Sequence, residues 1–412
     1  MQHSSLGFGT YRVTFKNPNH QKALLHAINS GISLIDTSSN YMGGEAEILI
    51  GNLISEKSID PDQVTIVTKG GYIQGELLSQ HLQGSLDIKE VVPYSRNCYH
   101  SIHPEFLLHQ ISASKKRLQL QSIDIYLLHN PEYYLMTYLN KPGILQEEIR
   151  QEMQKRIQSA FIALEQSVQN GDIKSYGISS NSFAKPADDP LFLEYKNLLH
   201  YAQNAALKVG FASHHFTTVQ LPYNLLEKKG EAILVWAKNR HLQTLINRPF
   251  NAFDKQGMQR LISYDKPKNY DTIFSEIIQN LDNYSRSDLR GVLEDLNNMR
   301  MKFKTLAEAE HTLYKKALPF LKQIIQEINN QEVQVAVREI INPFFTLYLQ
   351  EVKYYLTQTT KSYLRLIGVN ITQDLQDEAL RQYLDHSAID TVLIGMREST
   401  YVDNILSIKT LS

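Results

Sequence analysis

The chain has 412 residues, 42% hydrophobic and 21% charged, with a formal net charge of -1, the profile of an ordinary globular protein long enough for one large domain or two modest ones. That balance carries no electrostatic footprint for nucleic acid, and no apolar run approaches the roughly 20 residues a membrane span needs. The start, Met-Gln-His-Ser-Ser, lacks the basic and apolar stretches of a signal peptide, and the single cysteine, Cys98, can build neither an internal disulfide nor a cysteine-based metal cluster, so a cytoplasmic setting is expected.

In chain order, strand-like apolar runs fall at residues 6–10, 32–36, 64–69, 123–129, 173–179, 217–221, 242–247 and, near the C-terminus, 391–395. Amphipathic helical stretches separate them. Residues 20–30 place Ala23, Leu24, Ala27 and Ile28 on one face, with Gly31 as the stop. Pro104 suits the first turn of a helix running to about residue 118. A helix over 145–170 ends at Gly171 and carries Ile157, Phe161, Leu164 and Val168 as a core stripe. This β/α rhythm predicts a parallel sheet, and eight strands predict a closed (β/α)8 TIM barrel.

The rhythm fails after Phe253. Residues 272–281, 287–329 and 332–366 read as long helices, broken by Pro319 and Pro343. The expected organisation is therefore a barrel from 1–253 and 375–412, with a mostly helical insertion at 254–374 between strands 7 and 8. An insertion in a βα loop emerges at the catalytic rim, where it could serve as lid, partner surface or decoration.

Four residues suggest chemistry. Asp36, Lys69 and His129 each terminate an apolar run, and Tyr41 follows Asp36 across the loop Thr37-Ser38-Ser39-Asn40. A polar residue closing a buried strand serves packing poorly, and in a barrel the strand ends converge on one rim. A cationic Lys69 would favour the Tyr41 phenolate and so make Tyr41 a better acid. Asp36 would hold Lys69 by a charge-assisted hydrogen bond. His129 would orient a carbonyl oxygen or relay a proton. Together the four would polarise a carbonyl as it accepts hydride from a cofactor. Read as structure alone, they cap strands and pair with one another.

At these residues the sequence resembles the aldo-keto reductases. The stretch Asp36-Thr37-Ser38-Ser39-Asn40-Tyr41-Met42-Gly43-Gly44-Glu45, the Lys69 that ends its strand, and His129-Asn130-Pro131 follow that family's pattern. So do Gly177-Ile178-Ser179-Ser180-Asn181, Gln220-Leu221-Pro222-Tyr223-Asn224 and Leu393-Ile394-Gly395. The likeness covers roughly residues 5–250 and 375–410. It implies a catalytic tetrad of Asp36, Tyr41, Lys69 and His129, with Tyr41 as general acid. It also implies a nicotinamide cofactor, NADP with NAD as the alternative, lying over the barrel mouth.

Under that resemblance Ser179 and Gln220 meet the nicotinamide carboxamide. Either Ser180 or Asn181 fills the second amide role, because the usual Ser-Asn reads Ser179-Ser180-Asn181 here. Tyr223 is a weaker candidate. Gly9 and Thr10 match the first strand, where cofactor or substrate approaches closely, and Tyr11 lines the pocket or packs at the rim. Arg248 and Pro249 stand at the pyrophosphate turn, with Arg248 pairing a phosphate or standing as a solvated rim arginine. Gly395 and Arg397 stand where the family reads the adenosine phosphate, and Asn404 matches the asparagine that approaches adenine.

Other features are expected to be bland. His100, His103, His214 and His215 lack the carboxylates or cysteines of a metal site and read as loop histidines, so no metal is expected. Lys115-Lys116-Arg117 reads as a solvated helix face, and Cys98 as a loop residue. The 70–103 segment, with Tyr72, Gln74, Tyr94, Arg96 and Tyr99, should wall a pocket for a hydroxylated or aromatic substrate. The leading expectation is an NAD(P)-dependent oxidoreductase acting on a small carbonyl or alcohol, with no nucleic-acid or membrane partner. The alternatives are a dinucleotide-binding regulatory or scaffold protein acting on a protein partner through its helical insertion, and a barrel with a tightly held cofactor performing internal redox cycling.

Overall fold

The computed structural model describes residues 4–139, 141–255 and 257–410. Eight parallel strands close a barrel: β1 (Leu6–Gly9), β2 (Leu34–Asp36), β3 (Thr65–Gly70), β4 (Ile123–His129), β5 (Ile173–Ser179), β6 (Phe216–Pro222), β7 (Gln243–Asn247) and β8 (Thr391–Gly395). They follow one another in sequence order, and β1 closes the circle by pairing with both β2 and β8. Their bounds agree with the sequence reading to within two residues. Such strands are covered on both faces, which is why they read as apolar runs rather than as an alternation. Leu34, Val67, Ile125, Leu127, Leu245 and Leu393 fill the barrel interior.

Helices flank the strands: α1 (Pro18–Asn29), α2 (Glu45–Ser55), α3 (Pro104–Leu118), α4 (Gln146–Gln169), α5 (Leu198–Val209) and α6 (Glu231–Lys238). The first begins slightly earlier than its apolar face suggests, because the Asn17 side chain accepts from the Asn19 N–H and caps it. Between β3 and α3 lies an element the sequence reading did not contain. It is a small sheet of Tyr72–Ile73, Val92–Ser95 and Cys98–His100, with a helix at Gly75–Leu82. Strands this short leave no periodic signal.

A second compact unit consists of Asn224–Leu226 and Phe250–Ala379. It holds an antiparallel pair, Asn251–Asp254 with Gly257–Arg260, and the helices Tyr270–Asn283, Ser287–Met299, Leu306–His311, Leu318–Gln326 and Gln331–Leu366. Its core includes Leu281, Leu289, Leu293, Val337, Phe344, Tyr348 and Val352. Two expectations for this segment fail. Residues 287–329 form several pieces, with a break before Thr305, whose hydroxyl accepts from the Glu308 N–H and starts a new helix. Pro343 breaks nothing: the helix Gln331–Leu366 runs through it for 36 residues. Ile341, Phe344 and Tyr348, all buried, pack on either side of that proline and offset its lost hydrogen bond. Among the described residues no helix is long and apolar enough to cross a membrane.

Candidate active site

Lys69 and Asp36 meet at the C-terminal ends of β3 and β2. The ammonium is fully buried and lies 2.7 Å from Asp36 Oδ1. It also donates to the Thr37 carbonyl oxygen at 2.8 Å, and the Tyr41 hydroxyl lies 3.4 Å away. An ammonium has three protons to give. Two go to obligate acceptors, so the third falls to the Tyr41 oxygen and the phenol's own proton must point elsewhere. Burial pulls the Lys69 pKa down, while the charges of Asp36 and Glu47 pull it back up.

Tyr41 is held by the chain around it. It opens the turn Tyr41–Gly44, in which Met42, Gly43 and Gly44 all have positive φ before α2 begins. Two of the three are glycines, which take this conformation without steric cost. The Tyr11 ring meets the Tyr41 ring edge-on at 5.3 Å. Beneath it, buried Glu47 accepts from Thr68 Oγ1 at 2.5 Å and Arg117 Nε at 2.7 Å, tying α2 to β3 and α3. Burial, then the Asp36 charge, then Tyr11 raise the Tyr41 pKa well above its usual 10. Desolvation thus outweighs the acidifying influence expected of Lys69.

His129 is buried, with Nδ1 3.0 Å from Ser38 Oγ. The Tyr72 ring packs edge-on at 4.7 Å and the Tyr41 ring lies at 6.1 Å. Burial and the Lys69 charge drive the His129 pKa well below its normal value, so the imidazole is neutral at physiological pH. His100 is a buried strand residue, not the loop histidine expected. Its Nε2 donates to the His129 carbonyl at 2.7 Å, and burial lowers its pKa to about 4. His215 likewise binds buried Glu165 at 2.7 Å. No group of three or more His, Cys, Asp or Glu among the described residues is arranged for a metal ion.

An amide network continues from Asp36. Gln220 Nε2 donates to Asp36 Oδ1 at 2.7 Å, and Gln220 Oε1 accepts from Ser179 Oγ at 2.8 Å and from Asn247 Nδ2 at 3.4 Å. Asn247 Oδ1 is sealed from solvent without a hydrogen bond. Ser180 is buried and spends its hydroxyl on Glu132 Oε2 at 2.8 Å, whereas Asn181 is exposed and gives its backbone N–H to Glu132 Oε1 at 2.9 Å. Asn181 Nδ2 reaches Asn130 Oδ1 at 3.1 Å. Glu132 is almost wholly buried, and burial raises its pKa to about 7. Ser38, Asn130, Glu132 and Asn247 take part in this region without having been singled out from the sequence. Ser38 and Asn130 lay inside the motifs already noted, Asn247 closes the 242–247 run as a polar residue, and Glu132 carried no local signal.

Around the rest of the rim, Gly9 pairs with Gly395 across β1 and β8. A Cβ at Gly395 would meet nothing nearer than the Gly9 carbonyl at 3.9 Å, so this edge is an open notch. Thr10 is buried and its hydroxyl donates to the Asp36 carbonyl at 2.9 Å. Arg248 forms an ion pair with Glu227 at 3.0 Å, and its side chain is 25% exposed, so it is not simply a solvated arginine. Pro249 is buried, with its carbonyl accepting from Tyr383 at 3.0 Å. Tyr223 donates to Glu231 at 2.7 Å. Arg397 and Asn404 are exposed, on the turn after β8 and on the helix Ser399–Thr410.

These donors suit a neutral amide at the β5 and β6 ends, and the glycine notch leaves room for a ligand to lie across the rim. A nicotinamide dinucleotide fits that set. Ser179, Gln220 and Asn181 are the groups available to a carboxamide, and Arg248 and Arg397 are cations available to phosphate.

Comparison with known proteins adds a separate line. A family model described as "Aldo/keto reductase family" matches residues 5–237. An "NADH-specific methylglyoxal reductase" of Escherichia coli (strain K12) is 33% identical over 106 residues, covering 26% of this chain and 29% of that protein. "Aldo-keto reductase YhdN" of Bacillus subtilis (strain 168) is 25% identical over 250 residues, covering 59% of this chain and 57% of that protein. The chain therefore spans less than two thirds of the length of either curated relative. Solved structures that resemble it include the glycerol dehydrogenase AKR11B4 from Gluconobacter oxydans, at TM-score 0.48 and 16% identity over 98% of this chain and 86% of that one. The aldo-keto reductase AKR11C1 from Bacillus halodurans (holo form) gives TM-score 0.49 and 14% identity over 99% of this chain and 87% of that one.

Proposed function

Because the chain belongs to the aldo/keto reductase family, we propose that it moves hydride between a nicotinamide dinucleotide and the carbonyl carbon of a small aldehyde or ketone. The observation that carries this reading is the buried Lys69 ammonium, held by Asp36 at 2.7 Å with the Tyr41 hydroxyl 3.4 Å away. The dinucleotide, when bound, supplies or takes the hydride. Tyr41 gives its proton to the carbonyl oxygen in reduction and takes it back in oxidation. As that proton leaves, the adjacent ammonium stabilises the phenolate, and Asp36 keeps the ammonium in place.

In this reading Ser179 and Gln220 hold the nicotinamide carboxamide, with Gln220 anchored on Asp36. Asn181 takes the second amide role rather than Ser180, since the Ser180 hydroxyl is buried against Glu132. Gly9, Thr10 and Gly395 shape the floor of the rim. Arg248 and Pro249 form the pyrophosphate turn, with Glu227 giving way to phosphate. Arg397 is the cation for a ribose phosphate and Asn404 the adenine neighbour, which favours NADP over NAD.

The test is titration with NADPH and NADH, followed by nicotinamide absorbance during incubation with a panel of aldehydes and ketones. NADPH-dependent turnover is expected. Tyr41→Phe should lower kcat by about 10³-fold while leaving the dinucleotide Kd within a factor of a few. Tight dinucleotide binding with no turnover on any carbonyl would sink the reductase reading and favour a cofactor-binding scaffold. Absence of dinucleotide binding would sink both.

A further inference from the structure

Glu132 lies in the turn after β4 and is 2% exposed. Its carboxyl accepts from the Ser180 hydroxyl at 2.8 Å and the Asn181 N–H at 2.9 Å, and the Ser182 N–H also faces it. All three partners are neutral. Buried Asp36 and Glu47 are each matched by a cation, Lys69 and Arg117. No ion pair reaches Glu132 among the described residues. The titratable groups that feel its charge are Tyr72, from the small sheet after β3, and Tyr133, beside it in the chain. Burial pushes both phenols above their ordinary value near 10, so they stay neutral. The turn Ser180–Ser182 packed against it has no titratable side chain. Nearby, Asp36 and Lys69 cancel each other, Tyr41 keeps its proton and His129 is uncharged. Once ionised, Glu132 is therefore a buried charge with no cation opposite it among the described residues.

A carboxyl in such a place ionises more readily when a positive charge arrives beside it. The two redox states of a nicotinamide differ in this respect: the oxidised ring is cationic and the reduced ring is neutral. Asn181, whose backbone N–H Glu132 holds, is the residue assigned above to the carboxamide of that ring. We propose that Glu132 is the counter-charge for the oxidised nicotinamide ring, losing its proton to solvent when the oxidised dinucleotide binds and keeping it when the reduced one binds. The proposal rests on the dinucleotide reading and deepens it. Ser180 and Asn181 stabilise the carboxylate so formed, by donating an O–H and an N–H to it. As pH rises through about 7, where the free enzyme itself ionises Glu132, the oxidised dinucleotide gains affinity that the reduced one does not. Rising pH thus favours retention of the oxidised form.

The test is isothermal titration of the full chain with NADP+ and with NADPH at pH 6, 7 and 8. Each titration is run in two buffers of different ionisation enthalpy, for wild type and Glu132→Gln. The two dinucleotides share their phosphates, so the difference in proton release between them isolates the ring. At pH 7 the wild type should release about 0.4 proton more with NADP+ than with NADPH, and the variant no excess. Affinity for NADP+ relative to NADPH should fall about tenfold in Glu132→Gln at pH 8, and less than about threefold at pH 6. A glutamate with a purely structural role would weaken both dinucleotides together, and that outcome overturns the proposal. Equal proton release with the two dinucleotides in the wild type overturns it even where the variant fails to fold. An excess that persists in the variant assigns the proton to another group and overturns it as well. Failure of the wild type to bind either dinucleotide removes the dinucleotide reading together with this proposal, whereas tight binding of both with equal proton release sinks this proposal alone.

Discussion

Lys69 has no contact with solvent, and each of its three donors has an oxygen facing it. Its removal would strand the Asp36 charge beside Gln220 with nothing to neutralise it. Lys69→Met is therefore expected to lower the free energy of unfolding by about 3–5 kcal/mol, measured by urea titration. Adding Asp36→Asn should recover part of that loss, because the second change removes the charge the first one orphaned. Asp36, Lys69 and His129 stood out in the sequence because a polar side chain at the end of an apolar run is hard to justify by packing. Their partners did not stand out. Gln220 lies 184 residues from the Asp36 it binds, and Glu132 lies 48 residues from Ser180. Barrel curvature brings the first pair together across non-adjacent strands, and the pairing of β4 with β5 brings the second, and no local pattern encodes either.

The turn after β4 and the turn after β5 form one element of the rim, joined by Glu132 through Ser180 and Asn181. Burial raises the Glu132 pKa from 4.5 to about 7. The folded state therefore holds a proton that the unfolded chain releases between those values. The stabilisation is fully present below about pH 4.5 and is lost as pH rises through 7, a change of roughly 3 kcal/mol. His100, lowered to about 4, slopes the other way over the acid part of that range. Comparison of wild type with Glu132→Gln by urea unfolding at pH 5 and pH 8 isolates the Glu132 share. The wild type should lose stability relative to the variant at the higher pH, and a pH-independent difference would refute the assignment. At this scale the barrel strands were legible because each is a continuous apolar run. The helices of the second unit were legible as helices, with the ends of 272–281 and 332–366 within two residues, but the break inside 287–329 was not. Thr305 starts a helix through its side-chain cap inside a stretch that read as continuous, and Pro343 is absorbed by its packing. The short sheet after β3 was illegible for want of length.

At the scale of the whole molecule, the barrel and the second unit each have a buried interior of their own among the described residues. Leu293 is fully buried in the latter. Leu293→Ala should destabilise that unit by about 2–5 kcal/mol. The expected reading is an earlier urea midpoint for part of the unfolding signal, with dinucleotide affinity unchanged; a single transition that shifts as one would count against two separately stabilised interiors. The order of synthesis gives the barrel a further consequence. Its last strand, β8, seals the gap between β7 and β1, yet it is encoded some 140 residues after β7. At about 5–20 residues per second, a ribosome needs roughly 7–28 s to span that interval. Throughout it the nascent sheet keeps two raw edges, with unpaired backbone groups able to join strands of a neighbouring polypeptide. Chaperone protection during translation should matter most for this stretch.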